Sequence, residues 1–166
     1  MTLSILIARF PGFLASVDLQ PAPLTVLAPL LGHTRPAVRK RAISTLAQFI
    51  PVTPPALFQE LLTRDVLPGI ASGSSERQQT MVQLVAAVAR HSALRIAPVL
   101  GEIVPSVLKA VKKEEEELRE SCLHTLEALV LRCPTEVAPF LSTIIQTGIA
   151  YIKYDPVIVH GCNSST

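Results

Sequence analysis

One pair of residues in this sequence has the types and spacing of a chemical site. Cys122 and His124 lie two positions apart, as in a small metal site or a thiol with its base. On a helix, however, residues two apart point about 200° away from each other, so they are poorly placed to share one ion. No third group that would orient a nucleophilic pair is visible in the sequence. We therefore expect Cys122 in the core and His124 at the surface.

A basic cluster is the main candidate for contact with a partner. Arg35, Arg39, Lys40 and Arg41 place four positive charges within seven positions. We expect Arg39, like Arg119, to pack its stem between neighbouring structural units. Lys40 and Arg41 lie further round the same helix, and they are predicted to contact an acidic surface of a partner protein.

An acidic run forms a second charged cluster at residues 114–117, directly after Lys112 and Lys113. Lysines near the end of one helix and glutamates in the first turn of the next both complement their helix dipoles. The run is therefore typical of a solvated turn, and a docking patch for a basic partner is the alternative.

Composition and missing motifs exclude several classes of function. A glycine-rich phosphate loop, a nucleophile elbow and an HExxH motif are all absent, so we predict no catalytic residue, metal ligand, cofactor or small-molecule substrate, and no enzyme. The net charge is only +2, aromatic residues are 4% and there is no Trp, which argues against nucleic-acid binding. No apolar run is long enough to span a membrane. Three cysteines without a CxxC pair favour a reducing compartment, in the cytoplasm or the nucleus.

Helical periodicity dominates the chain, since apolar residues recur at i, i+3, i+4 and i+7 through most of it. No segment alternates long enough to indicate a strand. The pattern predicts eight helices, and residues 157–166 are predicted to be a disordered tail. The predicted helices span residues 2–17, 22–33, 35–50, 54–72 (with a break near Asp65), 75–91, 94–112, 114–132 and 135–153.

The helices also repeat. Residues 24–51 align with residues 104–131 at an offset of 80, and apolar positions coincide along both helices of a hairpin. A weaker copy lies between them within residues 58–90. Half of the offset falls close to the ~40–47 residues of a HEAT repeat, which buries its apolar face by stacking on its neighbours. The predicted fold is therefore an all-α, armadillo-like right-handed HEAT solenoid over residues 1–156, with roughly three full repeats and a partial repeat at each end. Prolines inside first helices should start or kink them: Pro29, Pro68, Pro98, Pro105 and Pro139.

Five short sequence segments indicate a particular family of HEAT-repeat proteins. Their order and spacing along residues 3–156 resemble the N-terminal half of the cullin-associated neddylation-dissociated protein family. The segments stand at residues 37–41 (AVRKR), 91–96 (His91 to Arg95-Ile96), 115–122 (EEELRESC), 132–137 (RCPTEV) and 151–156 (YIKYDP). Beyond residue 156 this sequence departs from the family pattern, which continues with Asn and Tyr residues and an acidic run. We therefore expect a fragment of a longer solenoid.

The resemblance implies a scaffold that wraps around an unmodified cullin and its RING partner. Such a scaffold promotes exchange of substrate receptors and assembly of SCF complexes in the ubiquitin conjugation pathway. The departure after residue 156 puts complete exchange activity in doubt for this chain alone. Another HEAT scaffold, such as part of a nuclear transport receptor or of a phosphatase scaffold, is the alternative that the repeat by itself supports.

Overall fold

A computed structural model describes residues 21–151, and these residues are all-helical. Seven helical segments match the seven predicted helices that fall in this range. The predicted helix over residues 2–17 and the predicted tail over residues 157–166 lie outside the described residues. The segments are α1 (Pro21–Leu27, continued by the 3-10 turn Ala28–Gly32), α2 (Pro36–Phe49, then Ile50–Val52), α3 (Pro55–Leu61, then a π-helical turn Leu62–Val66, then Leu67–Ile70), α4 (Ser75–His91), α5 (Ala93–Ile96, Ala97–Val99 and Leu100–Ala110), α6 (Glu116–Arg132) and α7 (Pro134–Val137, Ala138–Phe140 and Leu141–Tyr151).

Prolines explain why the first helix of each hairpin is not uniform. The 3-10 turns Ala28–Gly32, Ala97–Val99 and Ala138–Phe140 each carry a proline at their start. Proline has no N–H to donate to the preceding turn, so the local hydrogen-bond pattern changes there. The predicted break near Asp65 is a π-helical turn, and Pro68 is the second residue of the α-helical turn that follows it.

The second helices of the hairpins pack side by side in chain order, α2 against α4 and α4 against α6. Hydrogen bonds show that α4 and α6 run parallel and in register. Near their starts, Ser75 Oγ donates to Glu115 Oε1 at 2.6 Å. Further along both helices, Thr125 Oγ1 donates to the Val82 carbonyl at 3.0 Å. Each first helix contacts the second helix beside it, and α3 also contacts α5.

The core follows the repeat that the sequence predicts. The aligned apolar residues of α1 and α5 are all buried: Leu24, Leu27 and Leu31, and Val104, Val107 and Val111. The same holds in the second helices for Ala42 and Cys122 and for Leu46 and Leu126. The middle copy contributes Met81, Val82, Val85, Val88 and Ala89, which are also buried. Three aligned pairs differ, because Val38, Leu123 and Val130 are only half-buried while their counterparts Leu118, Ile43 and Ile50 are buried.

Candidate interaction surface

Cys122 and His124 lie on different sides of α6, as predicted. Cys122 is fully buried, and burial raises the pKa of its thiol to about 12, so it is protonated and inert at neutral pH. The His124 ring is exposed beside two carboxylates, with Nε2 3.7 Å from Glu120 Oε1 and Nδ1 3.4 Å from Glu127 Oε2. Among residues 21–151, no group of three or more potential ligands could hold a metal ion.

Arg39 and Arg119 make the same hydrogen bonds in two copies of the repeat. Arg39 Nη1 donates to the carbonyls of His33 and Thr34, at 2.8 and 3.0 Å. Arg119 Nη2 donates to the carbonyls of Lys113 and Glu114, at 2.8 and 3.4 Å. Each arginine thus holds the turn that leads into its own helix. The sequence alignment paired the two arginines but did not reveal this role, because the acceptors are backbone atoms.

The two arginines also reach the next structural unit, as predicted from their position. Arg39 Nη2 lies 2.6 Å from Glu76 Oε1 in α4. The guanidinium carbon of Arg119 lies 4.8 Å from the centre of the Tyr151 ring in α7, a cation–π contact. Both side chains are therefore structural contacts between neighbouring hairpins.

Gln78 takes the place of these arginines in the middle copy. Its buried side chain donates from Nε2 to the Ile70 carbonyl at 2.5 Å. Its Oε1 accepts from Lys113 Nζ at 2.8 Å. Lys113 Nζ also donates to the Ser72 carbonyl at 3.4 Å, so this lysine ties the turn before α6 to the turn before α4.

The acidic run at residues 114–117 is exposed, but it is tied to α4 and is more than a solvated turn. Glu115 accepts the hydrogen bond from Ser75, and this bond is the main reason that the pKa of Glu115 lies below its usual value. A polar groove follows the first turns of α2, α4 and α6, with Arg39, Glu76 and Glu120 among its lining residues. The alternative role of the run, docking of a basic partner, stays a prediction.

Lys40 and Arg41 are both exposed on α2. Their predicted contact with a partner has not been tested and stays a prediction. The repeat places Gln79 of α4 and Glu120 of α6 at the positions equivalent to Lys40. The same edge of the molecule therefore changes from basic to neutral to acidic across three neighbouring helices.

An apolar groove lies between α6 and α7. Leu126, Val130, Leu141 and Ile145 are among the residues that line it, and Ile145 is 52% exposed. Leu100 corresponds to Leu141 and lies in α5, which packs against α3 and α6; it is 1% exposed. Ile149 of α7 is also exposed, whereas Ile144 is half-buried against the core.

Within residues 21–151, no single helix has the length and apolar character needed to cross a membrane. The bent pair formed by α6 and α7 meets those criteria only when its two helices are taken together.

Comparison with known proteins gives a consistent set of relatives, although no protein-family model matches the chain. The chain is 33% identical over 158 residues, 93% of its length, to cullin-associated NEDD8-dissociated protein 1 of Dictyostelium discoideum. It is 34% identical over 140 residues, 82% of its length, to cullin-associated NEDD8-dissociated protein 2 of Mus musculus. It is 30% identical over 141 residues, 80% of its length, to cullin-associated NEDD8-dissociated protein 1 of Arabidopsis thaliana. The matched regions cover only 13%, 11% and 11% of these relatives, respectively.

Proposed function

This chain belongs to the family of cullin-associated NEDD8-dissociated proteins, and from that premise we propose that it is a HEAT-repeat scaffold segment that binds a cullin. The observation that carries the proposal is the similarity to several such proteins over 80–93% of the chain. None of these relatives is named for a catalytic activity. Binding by an extended surface is therefore the activity we assign.

The internal geometry supports a solenoid. Parallel second helices in register, with an identical arginine contact 80 positions apart, are expected when one hairpin is stacked repeatedly on itself. We propose that the stack is the right-handed HEAT array predicted from the sequence. Such an array presents a long surface, which suits wrapping around a partner better than enclosing a small molecule.

The names of the relatives suggest how binding is regulated. They associate with cullins and are dissociated by NEDD8. We propose that this chain, too, engages a cullin and its RING partner only when the cullin carries no NEDD8. Exchange of substrate receptors, and action in the cytoplasm or the nucleus, are the wider roles we propose for the protein of which this surface is part.

Lys40 and Arg41 are our candidates for direct contact. Both are exposed and neither is part of the core, so their charges are free to meet acidic groups on a cullin. Because the net charge of the chain is only +2, this contact would be local and would contribute chiefly to the rate and the specificity of association.

The experiment is a binding measurement by biolayer interferometry with an unmodified cullin–RING complex and with its NEDD8-modified form. We expect the wild-type chain to bind the unmodified complex and not the modified one. The variant Lys40→Glu/Arg41→Glu should weaken binding about tenfold, mostly by slowing association.

The matched control is Arg90→Glu/Arg132→Glu, which reverses two exposed arginines at the other ends of α4 and α6. It makes the same change in net charge and should bind like the wild type if contact is local. Failure of the wild-type chain to bind the unmodified complex would refute the proposed function. Binding to an importin cargo or a phosphatase subunit instead would favour the alternative HEAT scaffolds.

A further inference from the structure

The outer edge of the second helices carries a graded charge. We call it the bipolar face and define it by the equivalent residues Lys40, Gln79 and Glu120, together with one further exposed polar residue on each helix: Arg41 on α2, Gln83 on α4 and Glu117 on α6. The polar groove described above runs beside this face, and Gln79, Glu117 and Glu120 are among its lining residues. The face thus has a basic end on α2 and an acidic end on α6.

The residues around each end of the bipolar face carry mainly the same sign of charge as that end. Residues 35–49 contain four basic residues and no acidic one. Residues 114–120 contain five glutamates and a single basic residue, Arg119, which is turned toward the backbone and Tyr151. Arg39 likewise forms an ion pair with Glu76 within the chain. The exposed charge is therefore positive at α2 and negative at α6.

The two ends act independently in solution. Packed helices lie about 8–10 Å apart, so α2 and α6 are separated by about 20 Å. The Debye length at physiological ionic strength is only about 8 Å, so each end is screened from the other. An incoming surface must therefore satisfy both ends separately.

We propose that the bipolar face binds a second copy of this chain, which forms an isologous dimer about a two-fold axis parallel to the second helices. Such an axis places α2 of one copy opposite α6 of the other, and both contacts occur twice. Because the axis preserves the direction of the helices, Lys40 comes to the same level as Glu120 of the second copy. The surface is self-complementary, as a two-fold interface requires.

The middle of the face is suited to lie on the axis. There, α4 meets α4 of the second copy, and the residues at the centre are the uncharged Gln79 and Gln83, whose Nε2 groups donate to Ser121 Oγ of α6 in their own copy, at 3.3 and 3.2 Å. Glu76 is the single acidic residue of α4, and it forms an ion pair with Arg39 within its own copy. No uncompensated like charges are brought together.

The dimer should be weak and sensitive to salt. Three helix edges bury less than the ~1,200–2,000 Å² of a standard stable interface. The attraction comes from exposed ion pairs, which salt screens. The same Lys40 and Arg41 are our candidates for contact with a cullin, so self-association would compete with the proposed function without depending on it.

The test is sedimentation equilibrium of the full chain and of two charge-reversal variants, Lys40→Glu/Arg41→Glu and Glu117→Lys/Glu120→Lys. The wild type should dimerise, and its dissociation constant should rise about tenfold or more between about 0.1 and 1 M salt, as the Debye length falls from about 10 to 3 Å. Each variant alone should be monomeric. An equimolar mixture of the two variants should form one heterodimer, because one variant is acidic at both ends and the other basic at both ends.

A further variant separates this contact from association through the apolar groove. Ile145→Ser replaces an exposed apolar residue that lines this groove and should leave the salt-sensitive dimer intact. A wild-type chain that is monomeric at low salt would overturn the proposal. So would a dimer that survives both charge reversals, or a mixture of the two variants that stays monomeric. Circular dichroism of each variant checks that the helices are unchanged.

Discussion

Two leucines at equivalent positions should differ in how much they stabilise the fold. Leu46 and Leu126 occupy the same position in α2 and α6, and both are buried, at 0% and 2% exposed. Leu46 is covered from all sides, whereas Leu126 forms part of the wall of the apolar groove between α6 and α7. A void at Leu46 must stay empty, while a void at Leu126 opens toward the groove and can be filled by neighbouring side chains or water.

The magnitude follows from the cavity that each substitution leaves. Buried leucine-to-alanine changes cost about 2.7–5.0 kcal/mol, and the cost increases with the volume of the cavity that remains. Leu46→Ala should therefore lie near the top of that range, at about 4–5 kcal/mol, and Leu126→Ala near its lower end, at about 3 kcal/mol. Lys40→Ala, at an exposed position, should change stability by no more than about 0.5 kcal/mol.

Urea denaturation followed by circular dichroism measures these differences as free energies of unfolding. Hydrogen exchange then shows whether the loss is confined to the hairpin that carries the substitution. Equal losses in the free energy of unfolding for Leu46→Ala and Leu126→Ala would show that the groove does not reduce the cavity left at Leu126. If Leu126→Ala were as mild as Lys40→Ala, the alignment of the second helices would itself be wrong.

Three further outcomes follow from contacts between neighbouring units. Arg119→Lys removes the bonds to the turn before α6 and the contact with Tyr151, and it should cost about 1–3 kcal/mol in urea denaturation. Ser75→Ala should raise the pKa of Glu115 toward its usual value, which a carbon-detected NMR titration measures. Because the native pKa is lowered, the hydrogen bond stabilises the fold above the unfolded-state pKa of Glu115. That stabilisation is lost as the pH falls through the native pKa. In hydrogen exchange, α7 should exchange faster than α6, because no residue of its Leu141–Tyr151 part is buried; equal protection of the two helices would contradict this.

The register of the repeats could be predicted from the sequence because burial requires it. A hairpin that stacks on its own copy must present apolar residues at the same positions each time, so the offset of 80 between residues 24–51 and residues 104–131 predicted buried pairs such as Leu27 and Val107. The helix pattern was predicted for the same reason. Cys122 could be placed in the core and His124 at the surface from helical geometry alone.

The polar contacts between hairpins required the tertiary structure. Helical periodicity carries no information on which backbone carbonyl a side chain will reach, so the turn contacts of Arg39 and Arg119 were not foreseen. The bond from Ser75 to Glu115 joins residues 40 positions apart, and it depends on the lateral spacing of α4 and α6.

The sequence by itself determined the all-helical class, the repeat and the family, because each depends on residue identity at a regular spacing. Only the tertiary structure decided which surfaces remain open. Leu100 and Leu141 look alike in sequence, yet the first is buried in a helix that packs against α3 and α6, and the second is 39% exposed. Lys40 and Glu120 are equally polar in sequence, and only the side-by-side packing of α2, α4 and α6 places them on one face. Exposure depends on which neighbours the folded chain brings to a residue, and local sequence does not encode those neighbours.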